Sequence, residues 1–387
     1  LGVNRDFNEP FEAREPGDAY LVRYTSEKAP VTSISLDYLK RLILPTNLPA
    51  ANPGGMVVSY EGGYALLALL AKGENTLAKD VLDKLVTFQN TDGSWYQQHY
   101  PYKPFDRYED RKVDSGTSLS AWAMADYDAR QTPPTTLYKT AWQKAAEFLH
   151  TLEWALTPSA SLLKNQVIGG GPEEVAFSAD VAEATLGLTR GLDAYGATVL
   201  DSGGHSVKDL ITRLVAGLDG YMWRPPDYFY QTEYPLGAES QTKPGVYITF
   251  KQLVSYAQAL VAWALKDWDD KYGTLGQHNA NISDALDRVI AVNRGRWGGY
   301  LYHPTYEPTD SPEEYPQYAA LMKIAMEKVD ATRYSRHIDE ALKLQRWCAL
   351  SSGAVLDRVW PDGRCCLSPN ARGPLLISAA TCVLAGA

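Results

Sequence analysis

Glu61 sits in SYEGGY, Asp114 in KVDSGT and Asp180 in AFSADVAEA. Each falls near the start of an apolar segment rich in small residues. A helix N-terminus favours an ionised carboxylate, whereas burial or a second negative charge raises the pKa and keeps a carboxyl protonated. One carboxyl of each kind is what cleavage of a glycosidic bond requires, an acid for the leaving oxygen and a base or nucleophile opposite it. Capping competes with this reading, because Asp and Glu are common at helix starts. Asp114, just before Ser-Gly-Thr, fits a cap well. Glu61 and Asp180 lie inside apolar stretches, where a cap explains them less.

A second chemistry is written in the loops. Residues 95–111 read WYQQHYPYKPFDRYEDR, 221–234 read YMWRPPDYFYQTEY, and 300–306 read YLYHPTY. β-Elimination from a uronic acid needs a Tyr or His base and a group that neutralises the substrate carboxylate. His99 and Tyr100 are candidates for the base, and Arg107 for the neutralising group. Flat rings with hydrogen-bonding tips also suit sugar faces. The expected substrate contacts are therefore Tyr60, Tyr64, Trp95, Arg107, Tyr108, Trp223, Trp297, His303 and Tyr306. Loops packed on one another would use the same residues.

These residues need elements to hold them. Six times a more amphipathic helix pattern (36–44, 77–88, 137–154, 207–221, 282–293, 334–347) is paired with a more apolar one. The apolar partners begin near Val57, Asp114, Ala176, Tyr247, Tyr315 and Leu375, roughly 55–70 residues apart. Hairpins of this kind cannot bury their faces alone and must stack on neighbours. Six in a ring put the small-residue helices inside. The expected fold is all-α, an (α/α)6 toroid with little regular strand. Connections from outer to inner helix (90–113, 222–246, 296–314) are long and aromatic, far beyond the ~2–8 residues of ordinary helix connections. They place function at the mouth where the inner helices begin.

Gln89-Asn90-Thr91-Asp92-Gly93-Ser94-Trp95 fits Gln-x-x-x-Gly-x-Trp, with weaker echoes at 293–300 and 360–363. Gln can bond a free helix end, Gly permits the turn, and Trp packs into the gap between hairpins. The motif resembles the repeats of triterpene cyclases and related α-toroid proteins. It also resembles the DGSW-type turns of (α/α)-toroid glycoside hydrolases and polysaccharide lyases. The resemblance implies the toroid and, with the aromatic loops, a carbohydrate-active enzyme. Acid/base hydrolysis is favoured, with a uronate lyase as the alternative. A terpene cyclase or prenyl-transfer relative and a non-catalytic binding toroid are further alternatives. Asp267-Trp268-Asp269-Asp270 fits the cyclase Asp-x-Asp-Asp pattern, but it falls in an inner-to-outer connection between lysines, at the opposite mouth.

Net charge is −9 and the pI about 5.3, without the basic footprint that nucleic acid requires. No apolar run reaches the ~18 residues of a membrane span. No Cys/His spacing matches a zinc motif, and no nucleotide loop or nucleophile elbow is present. No metal and no cofactor is expected. The four cysteines allow several pairings. Residues 31–387 read as one toroid. Residues 1–30 are polar and aperiodic, an arm or the remnant of an upstream segment. A saccharide partner and a first residue other than Met fit a secreted or extracytoplasmic protein.

Overall fold

The outer helices each carry one apolar stripe. Ala78, Val81, Leu82 and Leu85 are buried in the first full example, and Ile282, Ala285, Leu286 and Val289 in another. This i, i+3, i+4, i+7 spacing gives a helix one face to bury and one to leave in water. The inner helices differ. Ser59 and every residue from Glu61 to Leu70 are buried, so this helix is enclosed all round. Small residues let such helices approach. A Cβ on Gly63 would lie 2.4 Å from Leu119 Cβ on the next inner helix. Some buried hydroxyls bond back one turn: Thr117 donates to the Val113 carbonyl at 2.9 Å and Thr185 to Val181 at 2.8 Å.

The computed structural model describes residues 31–43, 47–50, 57–99, 111–168, 171–172, 174–225, 229–230, 233–235, 253–301, 313–350, 354–356, 358–359, 365–366 and 376–386. In chain order the helices are α1 (Val31–Ile43), α2 (Ser59–Ala71), α3 (Asn75–Val86), α4 (Asp114–Arg130), α5 (Lys139–Thr151) and α6 (Ser178–Tyr195). They continue as α7 (Val207–Gly217), α8 (Ser255–Lys271), α9 (Asn279–Val292), α10 (Pro316–Asp330), α11 (Ser335–Cys348) and α12 (Leu376–Leu384). The even-numbered helices pack in sequence, α2 on α4 through to α10 on α12, and α12 returns to α2. The odd-numbered helices lie outside them, and α1 packs on both α12 and α2. The fold is an (α/α)6 toroid. No helix among the described residues is long and apolar enough to cross a membrane.

Strands are short and serve as leads into the ring. Val57–Val58, Arg111–Val113, Ala176–Phe177 and Glu314–Tyr315 each run straight into an inner helix. Val57 pairs with His99 and Val113 with Gln166, so the strands tie the loops of one mouth together. Several boundaries depart from the sequence pattern: the first outer helix begins at Val31, the fourth outer α-helix ends at Gly217, and the fourth inner helix begins at Ser255. The third outer helix ends at Thr151, and Trp154 lies in a hairpin of Glu153–Thr157 with Ala160–Leu163.

The opposite mouth is built for capping. Asp128 near the end of α4 accepts the Leu137 and Tyr138 amides at 3.1 and 2.9 Å, and Tyr195 Oη at 2.9 Å. Asp269 near the end of α8 accepts the His278 amide at 2.8 Å. Each fastens the start of the following outer helix. Asp269 therefore has a structural task within the Asp-x-Asp-Asp sequence. Asp267 pairs with Lys328 at 2.8 Å, and Asp270 pairs with Lys266. Cys348 and Cys382 are buried, and burial pushes the Cys382 thiol well up.

Candidate active site

The inner helices begin at residues 59, 114, 178, 255, 316 and 376. Their second residues are Tyr60, Ser115, Ala179, Tyr256, Gln317 and Ile377, and all six line one cavity of ≈ 360 Å³. One turn further on, Tyr64, Glu183, Leu321 and Thr381 line it too. Side chains four apart lie on one helix face, so positions two and six of the inner helices form the wall. The wall is uneven. Tyrosines fill it from α2, α8 and α10, whereas Ser115 and Ala179 leave space beside α4 and α6. Into that space project Asp180 and Glu183. Gln97, Arg111 and Asn165 complete the polar lining from the strands and loops of this mouth.

The carboxyls form one electrostatic group. Asp114 is sealed, and its Oδ1 accepts the Ser115 amide at 2.9 Å. Its Oδ2 is buried with no donor. The Asp180 carboxyl stands within hydrogen-bonding reach of Asp114, a contact that is attractive only while a proton lies between them. Burial pushes Asp180 up to about 7, and the hydrogen bond to Asp114 opposes the shift. Burial, and then the Asp180 charge, hold Asp114 well above the usual carboxylate range. Glu183 is raised by burial and by Asp180, and lowered by the Tyr64 hydroxyl, which donates to its Oε1 at 2.6 Å. Glu61 is pushed up to about 7 by burial, against a 3.4 Å hydrogen bond from Tyr60 Oη. Its Oε2 is buried without a partner.

The sequence candidates divide accordingly. Asp180, Tyr60 and Tyr64 line the cavity. Asp114 lies behind Asp180, and Glu61 beside Tyr60. Trp95 is not part of the wall. It is fully buried and donates from its indole N–H to the Leu85 carbonyl at 2.9 Å, so it seals the end of α3. Gln89 bonds the Gly93 carbonyl and the Ala141 carbonyl of α5 at 3.0 and 2.9 Å, and Gly93 takes φ +89°. The motif thus fastens α3 to α5. Trp223 packs on Tyr230 and Trp297 on Trp347, with ring centroids 4.8 and 4.6 Å apart, and neither ring reaches the cavity. His99 contributes backbone pairing to Val57. The His99 side chain and Tyr100, Arg107, Tyr108, His303 and Tyr306 lie outside the described residues.

Sequence reasoning missed Glu183, Arg111, Gln97, Asn165, Tyr256, Gln317 and Tyr318. Glu183 carried a signal, since it stands one turn from Asp180 in the same apolar stretch. Tyr256 and Tyr318 stack at 5.3 Å and form an aromatic wall. The described lining offers hydroxyl, amide, guanidinium and carboxyl groups between aromatic faces. That set can stack on a sugar ring, pair with its hydroxyls and move a proton.

No family model matches the chain, and no curated protein matches it. Solved structures match its shape. A family 76 glycoside hydrolase from a bovine Bacteroides thetaiotaomicron strain aligns with TM-score 0.65 and 12% identity, over 93% of this chain and 77% of that one. Cellobiose 2-epimerase from Bacillus thermoamylovorans B4167 aligns with TM-score 0.66 and 12% identity, over 92% and 98%. An alpha-amylase from Clostridium perfringens aligns with TM-score 0.62 and 9% identity, over 92% and 96%. At these identities the likeness is one of fold.

Proposed function

We propose that the chain is a carbohydrate-active enzyme that hydrolyses glycosidic bonds, with the cavity at the inner-helix N-termini as its active site. The observation that carries the reading is Asp180, a carboxyl on the cavity wall with its proton held near neutral pH, backed by the sealed Asp114. Below about pH 7 Asp180 is an acid facing the ligand. Asp114 is in contact with it, closer than the ~5–5.5 Å or ~6.5–9.5 Å that separates the two catalytic carboxyls of a glycosidase. The two aspartates therefore act as one proton site, and the second catalytic carboxyl is another residue. Glu183 is assigned that role because it shares the wall; burial and the Asp180 charge hold its carboxyl up, and the Tyr64 hydrogen bond opposes that shift. Tyr256 and Tyr318 offer the sugar a stacking face. The fold likeness to two glycoside hydrolases supports the reading, although that fold also serves an epimerase.

A second reading has one observation in its favour. Arg111, Gln97 and Asn165 together on the wall suit the carboxylate of a uronic acid, the group a lyase must neutralise.

A panel of oligo- and polysaccharides separates these chemistries. Reducing ends released without absorbance at 235 nm mark hydrolysis, and absorbance there marks the unsaturated product of a lyase. A substrate converted at unchanged mass marks an isomerase or epimerase and overturns both readings.

A further inference from the structure

On the outer wall of the toroid, between α5 and α7, lies a cluster that the cavity does not use. His150 ends α5, while Asp201 and His205 flank a turn that climbs beside that helix. The turn is held by its own backbone, with Asp201 donating to the His205 carbonyl at 3.0 Å and Gly204 to the Asp201 carbonyl at 3.2 Å. The Ser202 amide bonds the Gln143 carbonyl of α5 at 3.2 Å.

We propose that His150, Asp201 and His205 bind a divalent transition-metal ion of the zinc class, pinning this turn to α5. One ligand atom from each lies within 4.8 Å of the other two. His150 Nδ1 and His205 Nδ1 are each 3.2 Å from Asp201 Oδ2. Ligands at ~2.0–2.1 Å from a tetrahedral zinc stand about 3.3 Å from one another, so both edges already have the right length. The direction fits as well. His150 Nδ1 is buried and has no hydrogen-bond partner despite its nearness to Asp201. That is the oblique view a ligand atom has of its neighbour when it points at an ion between them, whereas His205 Nδ1 also meets hydrogen-bond geometry to Asp201 Oδ2, a bond the ion would replace.

The groups behind the ligands match. His150 Nε2 lies 3.3 Å from Glu153 Oε2, leaving Nδ1 for the metal. Arg213 grips the same carboxylate through two hydrogen bonds of 2.5 and 2.9 Å. Carboxylate, histidine and metal in line are the usual support for a zinc-bound imidazole. Asp201 Oδ1 is fixed by the His205 amide at 2.8 Å, which leaves Oδ2 for the ion. Two imidazoles favour zinc and its transition-metal neighbours over calcium or magnesium. The His205 side chain is 58% exposed, which gives the ion an entry path and a water the fourth position.

Chelator-stripped protein without an affinity tag is titrated with zinc chloride by calorimetry, and with cobalt(II), whose visible absorption reports tetrahedral coordination. One ion per chain and a rise in melting temperature are expected. His205→Ala removes an exposed ring and leaves the fold, and should weaken binding at least tenfold. Glu153→Gln keeps all three ligands and should weaken it about 10- to 100-fold. No uptake of zinc would overturn the proposal and leave His150 paired only with the Glu153 and Asp201 carboxylates. Uptake unchanged in folded His205→Ala, checked by circular dichroism, would also overturn it by placing the ion elsewhere. None of these outcomes depends on the activity at the cavity.

Discussion

Asp180 and Asp114 divide one task. Asp180 faces the cavity, and the hydrogen bond from Asp114 restrains a pKa that burial alone would push higher. Asp114→Ala removes that bond, so the alkaline limb of kcat/KM should move to higher pH. Asp114→Asn still donates and should leave the limb near its place. A pH–rate profile of both variants checks this, and an unchanged profile in the alanine variant contradicts it. Stability should follow the same groups. Asp180 and Glu61 are raised from 3.8 and 4.5 to about 7 in the folded chain. Between those values the folded state binds protons that the unfolded state has released, so stability falls as pH rises through the window. Below about pH 4 the penalty is absent, and above about pH 7 it is complete. Urea midpoints at intervals from pH 4 to pH 8 should decline for the wild type and decline less for Glu61→Gln. Asp180 was legible because a carboxylate inside an apolar run has few structural excuses. Glu183 was overlooked because a second carboxyl one turn on reads as ordinary helix polarity until the facing helix is known. Trp95 was misassigned because composition marks an indole as sticky without saying whether its N–H is already committed.

At the scale of elements, the outer stripes were readable because 3.6-residue periodicity and one-sided burial are a single fact. The third outer segment was read as far as Trp154 because its apolar residues continue past the helix end. Only pairing with Ala160–Leu163 shows that the chain has become extended. The rule that positions two and six line the cavity could not be read without the true first residue of each inner helix, which is fixed by strand leads such as Val57–Val58. The caps at the opposite mouth are local and testable. Asp128→Ala deprives α5 of two amide partners and leaves the Tyr195 hydroxyl unpaired. Losing a cap and leaving buried donors unsatisfied together should cost about 2–4 kcal/mol. Chemical denaturation should show the loss, while turnover per folded molecule stays near wild type because the site lies at the other mouth.

The whole molecule depends on closure. α12 packs on α10, α2 and α1, so the last helix completes the ring that the first two began. Deleting residues 376–387 uncovers the apolar faces of those helices and opens the wall at Ile377 and Thr381. The shortened chain should bind a hydrophobic dye and lose its single cooperative transition; retention of wild-type cooperativity would show that α12 is dispensable. Closure also explains why a cavity exists at all. Six buried helices meet at their N-terminal ends, and small residues on two of them leave a hole lined by two carboxyls, Asp180 and Glu183. That this hole is a glycosidase site with Asp180 as its acid is the central claim. Its most direct test is the initial rate of reducing-end release by Asp180→Asn against wild type, on the glycan the panel identifies. Loss of a positioned general acid should lower kcat by ~10²–10⁴-fold, with a melting temperature equal to or above that of the wild type. Full activity in folded Asp180→Asn would contradict the account.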